Sequence, residues 1–425
     1  MKNFSKIIVA GVLAFIAGTV VRRYKPRIVM VTGSVGKTST KDAVAAVLSE
    51  RFMVRKSDKS FNTEFGVPFT ILGAKNPWRN PLAWGSIIKN SLALIFLPNH
   101  YPNMLVLEVG ADRPGDLSRI LRIAAPDAVV VTRLPKIPVH VEAYASPEAV
   151  REEEFSPAYS LSAGAPLIIS ADDPYVLDDA VRTSARILSY GVADDATVSI
   201  GDTGFYEEEG KVLGMKASVV VLNGEKGNLV VKGSVGTTQL LPAAAAIAAA
   251  NAFNISLADA LEALENYEPP AGRGRLLLGK NDSVIIDDSY NSSPAAVEEA
   301  LVTLKSFPTS GRRIAVLGDM LELGRYSVME HDRIGALARA SADMVVAVGI
   351  RAKAFAAAHG NTDVVLFDNA NSAALALPDL IKEDDVILVK GSQSIRMERI
   401  VEALLADPAD SVKLVRQERE WKKLI

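Results

Sequence analysis

A glycine-rich stretch near the amino terminus carries the residue types that hold a nucleoside triphosphate. Residues 31–40 read VTGSVGKTST and follow an apolar, β-branched run, which is the pattern of a strand, a phosphate loop and a helix. In such a loop the backbone N–H groups face phosphate, a lysine adds a mobile cation, and a hydroxyl binds Mg²⁺. Val31 stands where the full motif has glycine, so this is a shortened TGxxGKT variant. ATP or GTP chemistry is favoured over an ordinary turn, and the predicted nucleotide contacts are Gly33, Ser34, Val35, Gly36, Lys37, Thr38 and Ser39.

Acidic residues and a histidine stand where a parallel sheet would gather a cation. Glu108 ends the apolar run 104–107, and open α/β sheets bind ligands at the carboxyl ends of their strands, so it suits a nucleotide-bound Mg²⁺. His140 lies in the loop after the next apolar run, and Glu142 and the acidic run 152–154 could share a cation with it. The alternatives are a carboxylate that caps a turn, a solvated histidine and a solvated acidic helix face.

Two polar clusters mark the second half of the chain. The sequence DDSYNSSP over 287–294 follows an apolar run, and there Ser293 suits a helix N-cap and Pro294 the first helical position. That structural role leaves the aspartates, the tyrosine and the asparagine unexplained. The sequence GRGR over 272–275 places cations where two domains would face each other, although a surface basic patch fits equally well. A small-residue turn, KGSQS over 390–394, follows the last apolar run.

Apolar runs alternate with helical patterns along the chain, which predicts parallel sheets covered by helices. In the first unit, strands are predicted at Ile28–Thr32, Met104–Glu108, Ala128–Thr132 and Leu167–Ser170. In the second unit they are predicted at Ser283–Asp287, Arg313–Leu317, Met344–Val348, Asp363–Phe367 and Asp385–Val389, with helices at Ala295–Phe307 and His331–Ala340. The valine-rich segment 196–235 contains an Asn-Gly turn signal and favours an antiparallel extension of the first sheet. The alanine-dense segment 242–252 predicts a closely packed helix.

The proline pair in EPPAG, over 268–272, is the best linker in the sequence. It separates a P-loop-type ATPase domain with a mostly parallel sheet, over 26–271, from a smaller Rossmann-like α/β domain over 272–425. A hydrophobic helix over 1–25 precedes both. The predicted class is therefore α/β.

Composition excludes several kinds of site and partner. The 425 residues are 49% hydrophobic and 23% charged, which allows two or three ordinary cores. The net charge of −3 argues against nucleic acid held by a broad basic surface. The absence of cysteine excludes disulfides and thiolate sites, and the count of four histidines argues against a histidine-rich metal cluster.

The segment Ile7–Val21 carries no charge and is bracketed by basic residues on both sides. It is a little shorter than the ~17–25 residues that usually span a bilayer. A buried soluble helix and a signal peptide are the alternatives, but a phosphate loop that follows within a dozen residues requires cytoplasmic nucleotide. The heavier basic cluster, after the segment, predicts one membrane anchor that holds a cytoplasmic protein at the inner face of the cell membrane.

The motifs resemble, in order and over residues 27–400, those of the Mur ligase family, the ATP-dependent amide ligases of peptidoglycan precursor assembly. Within the family they most resemble the branch that adds D-alanyl-D-alanine to a UDP-muramoyl tripeptide. The matching segments are TGSVGKTSTK (32–41), FNTEFGVPFTIL (61–72), LEVGADRPGDL (107–117), HVEAYASPEAV (140–150), ADDP (171–174), GRGR (272–275), IDDSYNSSPAAVEEAL (286–301), VLGDMLELG (316–324) and VKGSQSIRME (389–398).

This resemblance implies a mechanism and a set of site residues. ATP phosphorylates a peptide carboxylate, and an amine then attacks the acyl phosphate, with cations and N–H groups stabilising the developing charge. ATP and Mg²⁺ are the implied cofactors, and a cell-wall peptide precursor and an amine such as D-Ala-D-Ala the substrates. The implied catalytic residues are Lys37, His140 and Glu154, and the metal ligands are Thr38, Glu108, His140 and Glu154. Nucleotide contacts extend to Arg273, Asp288 and Asn291, and substrate contacts are Asn62, Thr63, Tyr290, Asn291 and Ser392. Closure about 269–272 would complete the site.

Three departures from the family pattern matter. The hydrophobic segment occupies the place of a UDP-sugar-binding domain, so the donor either lacks UDP or is presented at the membrane. Glu154 stands where the family has a carbamylated lysine, and it supplies a carboxylate with shorter reach. Thr238, Gln239 and Pro242 replace the residues that the family places near adenine. Two alternatives therefore stay open: a ligase of the same mechanism with a non-UDP peptide donor, and a membrane-anchored nucleotide-binding scaffold that no longer ligates.

Overall fold

The chain forms two sheets, each covered by helices. The computed structural model describes residues 2–58, 61–78, 80–356 and 363–423, with side chains from residue 8 onward. The first sheet has nine strands in the order β2-β3-β1-β4-β5-β6-β7-β8-β9. Its strands are β1 (Arg27–Thr32), β2 (Val54–Lys56), β3 (Met104–Glu108), β4 (Ala128–Val131), β5 (Pro166–Ser170), β6 (Arg186–Gly191), β7 (Val198–Glu208), β8 (Lys211–Val221) and β9 (Lys226–Lys232).

Strands β2 to β6 of this sheet pair in parallel around β1. Strand β1 lies between β3 and β4 and is buried on both faces after its first residue, as expected for a strand covered by helices on both sides. Strands β7, β8 and β9 then pair antiparallel, which confirms the antiparallel extension predicted from the segment 196–235. The sequence did not predict β2 or β6.

The helices around this sheet are α1 (Lys2–Tyr24), α2 (Lys37–Leu48), α3 (Gly66–Leu72), α4 (Pro81–Phe96), α5 (Asp116–Ile123), α6 (Pro147–Tyr159), α7 (Pro174–Ala180), α8 (Thr237–Ala252) and α9 (Leu257–Glu265). On one face, the buried alanines of α8 pack against α2, confirming the closely packed helix predicted at 242–252. Small side chains let two helices approach closely. The opposite face is covered by α1, α3, α4 and α5, which share one hydrophobic core.

The N-terminal helix differs from its prediction. Leu13, Ala17 and Val20 of α1 are buried in the core on that second face. In the part of the chain that the structure describes, no helix is both long enough and apolar enough to cross a membrane. The predicted crossing by Ile7–Val21 therefore finds no support in the structure.

Among the described residues, the second sheet has six strands in the order β10-β11-β15-β12-β13-β14, of which only β10 runs antiparallel to its neighbour. Its strands are β10 (Arg275–Leu278), β11 (Val284–Asp288), β12 (Arg313–Gly318), β13 (Met344–Val348), β14 (Asp363–Phe367) and β15 (Val386–Lys390). Its helices are α10 (Pro294–Ser306), α11 (Ser327–Ser341), α12 (Ala370–Ala376), α13 (Glu398–Leu404) and α14 (Arg419–Lys422). The α/β class is confirmed. In this sheet, β10 is a strand that the sequence did not predict.

Candidate active site between the two sheets

The phosphate loop connects β1 to the start of α2. Gly33 and Gly36 have φ of 114° and 88°, a left-handed backbone that favours glycine. A Cβ on Gly33 would lie 2.3 Å from the Oγ1 of Thr132, directly after the neighbouring strand β4, so this position has no room for a side chain. The N–H of Ser34 donates to the carbonyl of Arg133 at 2.9 Å. The loop is thus held against the sheet, ahead of a helix N-terminus that favours anions.

Lys37 is the first residue of α2 and curls back over the loop. Its Nζ contacts the carbonyl of Gly33, and it lies 3.7 Å from the Oε1 of Glu154. The other oxygen of Glu154 accepts a hydrogen bond from the Ser34 hydroxyl. Glu154 comes from α6 and is almost completely buried. The structure therefore brings Glu154 to the phosphate loop, where its carboxylate faces a lysine.

Glu108 lies at the carboxyl end of β3, beside Thr38, the residue that follows Lys37. Its Oε1 accepts a hydrogen bond from the Thr38 hydroxyl at 3.2 Å, and its Oε2 is buried with no partner among the described residues. Burial raises the pKa of Glu108, and the nearby charges of Lys41, Lys37 and Arg273 oppose that shift. A hydroxyl next to an orphaned carboxylate oxygen is a donor set that suits Mg²⁺. The residues present therefore fit the predicted first metal.

His140 pairs with carboxylates that the sequence did not single out. Its Nδ1 lies 2.8 Å from the Oε2 of Glu322, which precedes α11 in the second unit, and its Nε2 lies 3.6 Å from the Oδ1 of Asp112. Burial lowers the pKa of His140, but the hydrogen bond and charge of Glu322 and the charge of Asp112 outweigh it, so the net shift is upward. His140 thus links the two units in this conformation.

The second predicted metal site is not assembled here. Among the residues the structure describes, no three histidine or acidic side chains stand close enough to hold a metal ion. Glu154 contacts the phosphate loop, whereas His140 contacts Glu322 and Asp112. Lys37 is close enough to His140 and Glu108 to lower the pKa of both. The predicted groups therefore surround one lysine without converging on one point.

The turn after β11 belongs to the second unit and lies across from the phosphate loop. The ammonium group of the buried Lys390 donates to the Oδ2 of Asp288 at 2.6 Å and to the carbonyl of Asn291 at 3.0 Å. Burial lowers the pKa of Lys390, and the charge of Asp288 opposes this shift. Burial also raises the pKa of the neighbouring Asp287 to about 6. The predicted N-cap is confirmed, because the Ser293 hydroxyl accepts from the N–H of Ala296 at 3.3 Å.

Arg273 interacts both with the turn after β11 and with the region of the phosphate loop. Its guanidinium stacks 4.2 Å from the ring centroid of Tyr290, and its charge acts on Glu108 across the gap. Between the units lies a cavity of about 740 Å³. It is lined by Thr38, Asp58, Phe61, Lys75, Asn76, Trp78, Pro270, Ala271, Arg273, Tyr290, Gln393, Val412, Leu414, Val415, Arg416, Gln417, Glu418 and Trp421. One cavity thus contains residues of the phosphate loop, the linker and the second sheet.

Three predicted substrate contacts have other partners in this structure. The carbonyl of Asn62 accepts from the N–H of Gly110, and Asn62 and Lys37 both approach that glycine. The Thr63 hydroxyl accepts from the N–H that begins α3, a capping contact. The Ser392 hydroxyl accepts from the N–H of Leu321 at 2.8 Å and so ties two loops together. Ser392 is buried, and its neighbour Gln393 lines the cavity instead.

The aromatic residues on one side of the cavity were not predicted from the sequence. Trp78 and Trp421 meet edge to face with ring centroids 6.1 Å apart, although they are far apart in sequence. The guanidinium of Arg416 lies 5.9 Å from the Trp421 ring and 5.3 Å from the Tyr290 ring. Neither tryptophan belongs to a recognisable motif. Only the tertiary structure brings these residues to the site.

The fold, the phosphate loop and the cavity between two α/β units together define a ligase of the Mur type, and the chain belongs to the Mur ligase family. The model of the Mur ligase middle domain matches residues 31–250, and that of the Mur ligase glutamate ligase domain matches residues 272–393.

Among curated relatives, the UDP-N-acetylmuramoyl-tripeptide–D-alanyl-D-alanine ligase of Bacillus subtilis is 28% identical over 388 residues, 90% of this chain and 76% of that protein. The ligase of the same name from Mycobacterium tuberculosis is 29% identical and covers 89% of this chain and 73% of its own. Among solved structures, MurF ligase from Thermotoga maritima in complex with ADP has a TM-score of 0.76 at 25% identity, over 93% of this chain and 83% of that one.

Proposed function

We propose that this chain joins D-alanyl-D-alanine, or a similar amine, to the peptide carboxylate of a muramoyl-peptide precursor in an ATP-dependent reaction. The observation that carries this proposal is the shared cavity, which Thr38 of the phosphate loop lines on one side and Arg273 and Tyr290 on the other. A triphosphate bound at the loop can meet there a carboxylate and an amine. The names of the relatives support this choice of substrates.

The reaction has two chemical steps. A carboxylate oxygen attacks the γ-phosphorus of ATP, which forms an acyl phosphate and releases ADP. The amine then attacks the acyl carbon, loses a proton and expels inorganic phosphate, so that a C–N bond replaces the C–O bond. Both steps bring anions together. Lys37, the loop N–H groups and Arg273 supply the positive potential that this requires.

Thr38 and Glu108 would hold Mg²⁺, which supplies charge neutralisation to the β- and γ-phosphates when bound. The orphaned Oε2 of Glu108 and the adjacent Thr38 hydroxyl support this assignment. We assign to Glu154 the role of the family's carbamate. Its carboxylate already contacts Ser34 and Lys37, so it orients the lysine and stands beside the phosphate position. We also assign His140 and Asn291 to the site, because His140 lies near Lys37 and Asn291 follows Tyr290, which lines the cavity.

The two units would act as separate domains, 26–271 and 272–425, that close about the linker at 269–272. Two ion pairs between the units, formed by side chains rather than by shared strands, support this division. Arg133 pairs with Glu299 of α10, and His140 pairs with Glu322. Closure would exclude water from the acyl phosphate, which water otherwise hydrolyses. Because the reaction consumes ATP, we place it in the cytoplasm.

The test measures phosphate release by the full chain with ATP and Mg²⁺, in the presence of muramoyl peptides with and without UDP. Release that requires both the peptide and D-Ala-D-Ala, together with formation of the amide product, supports the proposal. Binding of ATP without release under every mixture of precursors contradicts it and favours a scaffold. Turnover with the non-UDP peptide alone would show that the donor lacks the nucleotide.

A further inference from the structure

Helix α1 is apolar on two sides, of which only one packs against the protein. Leu13, Ala17 and Val20 fill the core beneath it. On the outward side Val12 is exposed and Phe15 is 72% exposed. A soluble protein usually covers such side chains or uses them to bind a partner. This helix therefore has an apolar face that the rest of the described chain does not cover.

Helix α4 has the same character. Its fully buried side chains are Ile87 and Ser91. Ile88, Leu92 and Phe96 follow one another every fourth residue on another face, where Phe96 is 72% exposed. Residues spaced by four lie along one side of a helix. The exposed residues of α4 thus form a continuous apolar stripe.

The two helices form one surface at the same side of the central sheet. At the end of α1, Arg23 donates to the carbonyl oxygens of Ile95 and, at 3.2 Å, Leu97, and the Tyr24 hydroxyl donates to the carbonyl of Leu94 at 2.9 Å. Both helices bury their inner faces in one core cluster. Helices of a single layer turn their opposite faces away from the sheet in the same direction. We call these outward residues of α1 and α4 the α1–α4 face.

The charged residues of α1 and α4 all have the same sign. The sequence contains no aspartate or glutamate in residues 1–41 or in residues 65–107, although the whole chain has 50 acidic residues and a net charge of −3. Arg22 and Lys25 stand at the end of α1, and Lys89 lies on α4. An apolar face flanked by cations and lacking carboxylates is complementary to a layer of anionic lipid headgroups.

We propose that the α1–α4 face docks on the surface of an anionic lipid bilayer. Its apolar side chains enter the headgroup region, and the flanking cations contact lipid phosphates. Docking of this kind requires no helix that crosses the membrane. Lys75, Asn76 and Trp78, which precede α4, line the cavity between the sheets. Docking therefore holds the entrance of that cavity near the bilayer, where a lipid-linked precursor would be accessible. The docking itself does not depend on the ligase chemistry.

The experiment is vesicle flotation of the full chain, with phosphatidylcholine vesicles and with vesicles that also contain phosphatidylglycerol. We expect the chain to float with the anionic vesicles and to bind about tenfold less to the neutral ones, with binding that weakens as salt rises. Failure to float with anionic vesicles at low salt overturns the proposal.

A pair of substitutions tests the face itself. Phe15→Glu with Phe96→Glu should lower binding to anionic vesicles by about tenfold or more, because each places a carboxylate in the apolar contact. Leu375→Glu is the matched control, since Leu375 is an 83% exposed leucine on α12, and it should bind like the wild type. Lys89→Glu provides a second variant that leaves the apolar residues in place, and it should bind less at low salt. Flotation of the double variant equal to that of the wild type overturns the proposal.

The same samples separate this proposal from its competitors. Light scattering after gel filtration reports whether the face joins two copies of the chain. A dimer that the double variant dissociates, combined with no vesicle binding by the wild type, would assign the face to self-association and overturn lipid docking. Phosphate release in solution is measured in parallel. Absence of phosphate release by the wild type would contradict the proposed ligase function and leave the flotation result unaffected.

Discussion

Two lysines, one on each of the two units that enclose the cavity, have different environments. Lys37 follows the phosphate loop, retains partial exposure with its side chain 14% accessible, and contacts a carbonyl and the carboxylate of Glu154. Lys390 ends β15, is buried, and is held by Asp288 and Asn291. The accessible lysine has a position from which it can reach a phosphate, whereas the buried one supports the turn at 288–291. The same side-chain type is therefore partly accessible beside the phosphate loop in one unit and fully engaged in a buried ion pair in the other.

The largest expected effect comes from breaking the buried pair. Lys390→Met should lower the free energy of unfolding by about 3–5 kcal/mol, because it leaves the Asp288 carboxylate without its buried partner. Urea denaturation measures this loss. Adding Asp288→Asn should restore most of the stability, since the pair is then removed as a whole. A single variant as stable as the wild type would show that Lys390 does not support the turn.

Lys37→Ala tests the lysine beside the phosphate loop. Turnover should fall by about 10²–10³-fold, because the variant lacks a cation that stabilises charge in the transition state. Steady-state phosphate release measures the loss, and an unchanged melting temperature shows that the fold persists. Lys353→Ala, a change at a half-exposed lysine of the second unit, is the matched control and should retain full activity. Unchanged turnover in Lys37→Ala would remove the loop from the mechanism.

Glu154→Gln separates charge from shape at the phosphate loop. The amide can still accept the Ser34 hydrogen bond but no longer balances Lys37, so activity should fall by about 10–100-fold. Titration of phosphate release with Mg²⁺ distinguishes a metal role from positioning, since a metal role predicts partial recovery at high Mg²⁺. Full activity of the variant at low Mg²⁺ would show that Glu154 does not replace the family's carbamate.

The smallest effect concerns the bridge between the units. The pKa of His140 is raised above its ordinary value of 6.5, so its contribution is present below that pH and is lost as pH rises through the raised pKa. The pKa of Glu322 is lowered from 4.5, so its contribution is present above pH 4.5 and is lost as pH falls through the lowered pKa. The bridge is therefore strongest between these limits.

Glu322→Gln should consequently lower the pKa of His140, which proton NMR of the imidazole measures. The cost in stability should be only about 0.2–1 kcal/mol at neutral pH, since about half of the Glu322 side chain is exposed to solvent, which screens the pair. An unchanged histidine pKa in this variant would show that the two units do not meet through this pair in solution.

The two faces of the central sheet extend the comparison to packing. On one face the alanines of α8 lie against α2, and their small size was visible in the sequence as a local run. On the other face the uncharged segment of α1 was predicted to be a membrane anchor, yet Leu13, Ala17 and Val20 pack into the protein core. Hydropathy measures how apolar a segment is, but it does not indicate whether the segment packs against protein or lipid. That is why the helix at the N-terminus was predicted to cross a membrane.

The sequence by itself determined the local features of this protein. The phosphate loop at 33–38, the parallel strands and the cap at Ser293 follow from the conformational limits of glycine, the burial of apolar runs and the hydrogen-bonding of a serine hydroxyl, all within a few neighbouring residues. The tertiary structure alone decided that Glu322 reaches His140, that Lys390 holds Asp288, and that Trp78 meets Trp421. These contacts join residues far apart in the chain. They exist because the fold makes neighbours of distant segments, as when β11 pairs with β15 in one sheet. No local pattern of residues predicts such a pairing.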